Sequence, residues 1–163
     1  MHCCASFIIA VAALGGSALA IAAAAPEVPY PEGYRGWHHV KSMMIEPGHP
    51  LFDSFGGLHH IYANDKAIAG YAKGKFPDGA VIVFDLLEAK VADHAVQAGA
   101  RKLIGVMRKD ARAYAATGGW GFEGFKGDSR TERLVTQANA MGACYGCHAG
   151  QDKTDFVFST VQP

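Results

Sequence analysis

The segment Cys144-Tyr145-Gly146-Cys147-His148 carries two thiols three residues apart and an imidazole directly after them. This is the Cys-x-x-Cys-His pattern of covalent haem attachment. On a helical turn, side chains three residues apart project to one side. Both sulfurs can then form thioethers with the two vinyl groups of one porphyrin. His148 can present its imidazole to the iron as the proximal ligand. The same residue types suit a redox dithiol or half of a zinc site. A redox dithiol usually sits beside a βαβ unit, and zinc needs a second ligand pair of comparable spacing. Neither pattern is evident along the chain. The expected cofactor is one covalently bound haem c, its iron held by His148.

The position of the motif adds to this. Only 15 residues follow His148, and none is Met. A protein ligand for the sixth coordination position must therefore come from upstream. The candidates are Met43, Met44, Met107, Met141, His38, His39, His49, His59, His60 and His94. Each of these can equally be an ordinary core or surface residue. The doublets His38-His39 and His59-His60 do not easily close on one metal, because adjacent strand residues point to opposite faces.

Charge sorts the chain into two parts. Residues 1–25 hold no Asp, Glu, Lys or Arg; all 15 Lys+Arg and 15 Asp+Glu lie beyond them. Phe7 to Ala25 is an apolar run long enough to span a bilayer, but it ends in small residues with no stop-transfer charges. It reads as a signal peptide, cut between Ala20 and Ala24. Residues 26–163 would then form a single exported, periplasmic domain with no membrane anchor. Cys3 and Cys4 leave with the leader, and the other two cysteines are committed to haem, so no disulfide is expected. The zero net charge argues against nucleic acid as a partner, which would require a basic surplus.

The elements that must position the motif are mixed. Trp37–Ile45, Leu58–Ala63, Ala80–Leu87, Arg101–Lys109 and Trp120–Phe125 read as strands, rich in β-branched and aromatic residues. A short helix is predicted to start at Asn64 or Asp65 and stop at Gly74. A longer helix is predicted from Ser129 or Thr131 to Cys144, with Leu134, Val135, Ala138 and Met141 at helical spacing. Phe156–Val161 is read as a terminal strand or extended tail. The pattern points to an α+β fold: a mainly antiparallel β-sheet with peripheral helices and a C-terminal haem-attachment helix.

Several segments, in order, carry a family resemblance. They are Tyr34-Arg35-Gly36-Trp37, Phe55 to Asn64, Phe76-Pro77-Asp78-Gly79, Thr117 to Phe122, and the haem motif followed by Asp155-Phe156-Val157-Phe158-Ser159. Over about residues 30–160 the chain resembles the cytochrome P460 family. The resemblance implies a mainly antiparallel β domain, a homodimer, and one c-type haem with His148 proximal. Members that oxidise hydroxylamine carry a lysine cross-linked to a haem meso carbon and a distal carboxylate. Their relatives, the cytochromes c′-beta, lack the cross-link and bind small gases in an apolar distal pocket. The register of the resemblance puts the lysine position at Phe84 and the carboxylate position near Gly105. Phe55 and Phe84 would then be the aromatic pair that caps the distal face.

The residues support that reading in part. Phe84 shares a strand face with Ala80, Ile82 and Leu86, an apolar surface suited to a porphyrin, although Phe55 and Phe84 can equally be core aromatics. Lys73, Lys75 and Lys90 flank the strand, and Asp85 and Glu88 are the nearby carboxylates; a shift of register would bring one of them to the haem. Arg35 and Arg101 are candidates for haem propionates, since guanidinium pairs bidentately with carboxylate; a surface role suits them equally. An apolar cap offers no hydrogen-bond donor to bound O2 and leaves its charge unpaired. The expected function is binding of NO (and CO) at a five-coordinate iron, for scavenging, carriage or electron transfer to a redox partner. The alternatives are a hydroxylamine-oxidising enzyme with a lysine–haem cross-link and a six-coordinate electron-transfer cytochrome.

Overall fold

Six strands, rich in β-branched and aromatic residues, pair in the order in which the chain makes them. The computed structural model describes residues 25–162, so residues 1–24, with the leader, its cut and Cys3 and Cys4, lie outside the described residues. The strands are β1 His38–Ile45, β2 Gly57–Ala63, β3 Val81–Ala92, β4 Ala95–Lys109, β5 Trp120–Lys126 and β6 Arg133–Val135. They form one antiparallel sheet in the order β1-β2-β3-β4-β5-β6. Among the described residues, three α-helices lie outside it: α1 Phe52–Phe55, α2 Asp65–Lys73 and α3 Gly146–His148. The expected α+β class is what the chain adopts.

Register decides which residues meet. Residues directly opposite in an antiparallel pair share a face. One row runs Lys41, Ile61, Phe84, Gly105, Gly124 and Val135 across all six strands. The adjacent row on that face is Met43, His59, Leu86 and Leu103. A core of Val40, Ile61, Ala63, Phe76, Ile82, Trp120 and Phe122 covers this face, with Phe84, Met107, Cys144 and Tyr145 packed against it. The opposite face holds Val28, Tyr34, Val83, Ile104, Val106, Tyr114 and Phe125. Alternation along β3 divides its residues cleanly: Ile82 and Phe84 to the first face, Val83 and Asp85 to the second.

Helix α2 follows its local signals. Asn64 Oδ1 accepts from Ala67 N at 2.9 Å, and Gly74 closes the helix at φ 67°. Asn64 does more than cap. Its Oδ1 also accepts from Val81 N at 3.1 Å, and its Nδ2 donates to Gly79 O at 3.0 Å. It thereby ties α2 to the turn before β3. Asn64→Ala is expected to cost about 1–2 kcal/mol, measured by urea denaturation.

Three segments differ from expectation. Residues 133–135 are strand β6, and the helical stretch begins only at Met141. The reason is non-local: Val135 pairs with Gly124 on the sheet edge, while Arg133 lies over the Phe125 ring and beside Glu123 and Glu27. Secondly, β3 and β4 run past Leu87 and start before Arg101 to form an exposed arm, closed at Asp93 and His94 by positive φ of 50° and 60°. Both central residues at positive φ is the two-residue turn that suits strand twist. Thirdly, the tail after Asp155 forms no strand; Gln162 N makes one bond to Val40 O.

Candidate functional site

The haem motif sits on a continuous but irregular helical stretch. A π-helical turn, Met141–Tyr145, leads into α3, and a 3-10 stretch, Ala149–Thr154, follows. Asp155 and Phe156 then adopt left-handed φ of 52° and 67°. This reverses the chain and brings Phe156 O to 2.7 Å from His148 Nδ1. A carbonyl only accepts, so Nδ1 carries the proton and Nε2 keeps its lone pair for a metal. Burial moves the His148 pKa below the ordinary imidazole value, which favours the neutral ligand form.

The reversal is held by a buried ion pair. Lys109 Nζ donates to Asp155 Oδ1 at 2.6 Å and to Gly118 O at 3.0 Å. Asp155 Oδ2 accepts from Phe76 N at 2.8 Å, and Asp155 O accepts from Trp120 Nε1 at 2.8 Å. Gly118 permits the close approach of the Phe156 ring, which would lie 2.3 Å from a Cβ there. Each tie comes from a different part of the sheet and its flanking loops, so the sheet itself places the carbonyl that orients His148.

The donor set fits a haem. Cys144 and Cys147 are free thiols on the same turn as His148. Burial pushes the Cys144 thiol up to about 11, keeping it protonated. The His148 ring contacts Phe122 at 5.1 Å and Phe158 at 4.9 Å. Phe158 is 57% exposed and Met141 49%, leaving apolar surface at the motif. Among the described residues, no group of three or more His, Cys, Asp or Glu comes together in a metal-ligating arrangement.

The proposed distal pair also meets. Phe55, at the end of α1, packs edge-on against Phe84 with ring centroids 5.8 Å apart and planes at 84°. Gly105, near which the resemblance was expected to put the carboxylate position, lies directly opposite Phe84. Phe84 and Cys144 pack against the same core cluster. Arg35 is not brought to this face. It is exposed on the Tyr34–Gly36 turn, its guanidinium 5.7 Å from the Tyr34 ring in the opposite cluster. Arg101 is likewise engaged elsewhere, bidentate to Asp85 at 2.6 and 3.2 Å, with Tyr34 Oη donating to Asp85 at 2.8 Å. That network leaves neither Arg101 nor Asp85 for the haem face. Glu88 and Lys90 lie exposed on the β3–β4 arm, and Lys73 and Lys75 are exposed beyond it.

Two groups on the Phe84 face of the sheet were given no specific role by the sequence reading. Lys41 occupies the row of Phe84, although a bulge at Val40 obscures its parity. His59, entered only as one ligand candidate among many, is 4% exposed and stacks on Phe84 at 4.6 Å. Its doublet partner His60 faces the other way, bonded to Ser42 at 2.6 Å. The cytochrome P460 family model matches residues 31–159, a span that includes Phe84, the haem motif and the reversal behind it. No curated protein matches the chain.

Proposed function

Since the chain belongs to the cytochrome P460 family, we propose that it is an exported mono-haem c-type cytochrome whose apolar distal pocket binds NO, and CO in the laboratory. The observation that carries the reading is the Phe55–Phe84 pair, on the face of the sheet that packs against Cys144, with Gly105 opposite Phe84. In the register of the resemblance, the positions where the hydroxylamine-oxidising members hold a lysine and a carboxylate fall at Phe84 and near Gly105, an aromatic ring and a residue without a side chain.

Cys144 and Cys147 would hold the porphyrin through thioethers, and His148 Nε2 would ligate the iron. Phe156 O keeps the His148 ring turned and makes its nitrogen a better donor. Phe55 and Phe84 would form the apolar wall that keeps water and anions from the iron. When bound, the haem supplies an open coordination position for a neutral diatomic. The roles that follow are NO scavenging, carriage or electron transfer with a redox partner, in a homodimer, as the family resemblance implies. Among the described residues, no helix is long and apolar enough to cross a membrane.

Spectra of the ferrous protein with and without NO test this. A five-coordinate spectrum that changes with NO is expected. A low-spin, six-coordinate spectrum indifferent to NO would sink it in favour of the electron-transfer alternative. The mass of the haem peptide after digestion is expected to show two thioethers and no lysine adduct; a lysine–porphyrin bond would instead support hydroxylamine oxidation.

A further inference from the structure

The haem face is not wholly apolar. His59 is an imidazole on it, 4% exposed, with Nδ1 fully buried and without a hydrogen-bond partner. A buried, unpaired polar atom is costly, and in native structures it calls for a reason. The environment of His59 is built of Leu86 directly opposite on β3, Met43 opposite on β1, and the Phe84 ring stacked at 4.6 Å with planes at 37°. None of these can satisfy Nδ1. Phe84 thus contacts both the capping ring of Phe55 and the imidazole.

We propose that His59 is a hydrogen-bonding site of the pocket, donating to the outer atom of a small polarised ligand, with the Phe84 ring as a movable screen between an apolar and a polar form of the pocket. The inference rests on the haem and gas-binding reading above and alters its selectivity. An unscreened imidazole N–H supplies the donor that an aromatic cap by itself denies, so ligands that gather negative charge are not excluded. Burial holds His59 neutral, reinforced by His60 on β2 and Lys41 on β1, the titratable and charged groups whose fields reach it. The imidazole is therefore neutral, with one donor and one acceptor nitrogen, and the proposal assigns its proton to the nitrogen that meets the ligand.

The test is the CO stretching frequency of the ferrous carbonyl form of the holoprotein, in wild type and in the His59→Leu, His59→Gln and Phe84→Ala variants. A donor to the ligand's outer atom draws electron density onto it and lowers the stretch. His59→Leu is expected to move the band to higher wavenumber, and His59→Gln, which keeps a donor, to hold it near wild type. Phe84→Ala, which removes the screen, is expected to lower it. One unchanged band in all four proteins would overturn the role of His59 while leaving gas binding standing. A wild-type protein that forms no carbonyl band at all would remove the gas-binding reading and this inference with it. Should His59→Leu fail to fold, the Gln and Ala variants decide: a band unmoved by Phe84→Ala overturns the proposal.

Discussion

Lys109→Met is expected to destabilise the fold by about 3–5 kcal/mol, seen as a lower urea midpoint at unchanged slope. The Lys109 side chain is 7% exposed and that of Asp155 12%, and they meet at 2.6 Å. Removing the ammonium leaves a carboxylate in low dielectric with only the Phe76 N–H on its other oxygen. Gly118 O also loses its donor. The double variant Lys109→Met/Asp155→Asn removes the stranded charge and is expected to recover much of the loss, leaving about 1–2 kcal/mol. A single variant no worse than the double would show that the pair is solvated and holds nothing. A second readout separates positioning from bulk stability. Because Asp155 fixes the reversal that carries Phe156 O, the His148 Nδ1–H proton is expected to exchange faster with solvent in the single variant, under conditions where the chain is still folded.

Acid should weaken the native state through His59. Burial, reinforced by the charges of His60 and Lys41, lowers its pKa from 6.5 to about 4. As pH falls below 6.5 the unfolded chain takes up a proton that the folded chain refuses until about pH 4. The stability is therefore fully present above 6.5 and declines through that window. His59→Leu lacks the group, while carboxylates common to both proteins cancel in the comparison. Wild type is expected to lose about 2.5 kcal/mol more than the variant between pH 7.5 and 4.5. Urea melts at the two pH values measure it. Parallel losses in the two proteins would mean that the imidazole is already solvated in the folded state.

Short-range chemistry was legible in the amino-acid order. Asn64 and Gly74 mark the ends of α2 because a cap acts over one turn. The spacing of Cys144, Cys147 and His148 points to haem without reference to anything else in the chain. Strand parity put Phe84 with Ile82 on one face and Asp85 on the other, since the period of two is built into an extended backbone. Longer-range outcomes were hidden. Leu134, Val135, Ala138 and Met141 have helical spacing, yet Val135 gains more by pairing with Gly124 at the sheet edge and Arg133 by lying between Phe125 and Glu123. Arg101 carried the charge for a propionate, and only the register of β3 against β4 reveals that Asp85, which also accepts from Tyr34, occupies it on the other face.

The sequence by itself thus determined the Cys-x-x-Cys-His spacing and the strand-rich class. The tertiary structure decided what stands around them. It aligned Phe84 with Gly105 and Lys41 in one cross-strand row, set the unpaired His59 against Phe84, and used a buried lysine to fix the carbonyl that orients His148. The division has a physical cause. Covalent spacing and local capping act within a few residues, whereas burial, register and pairing depend on which distant segments share a face.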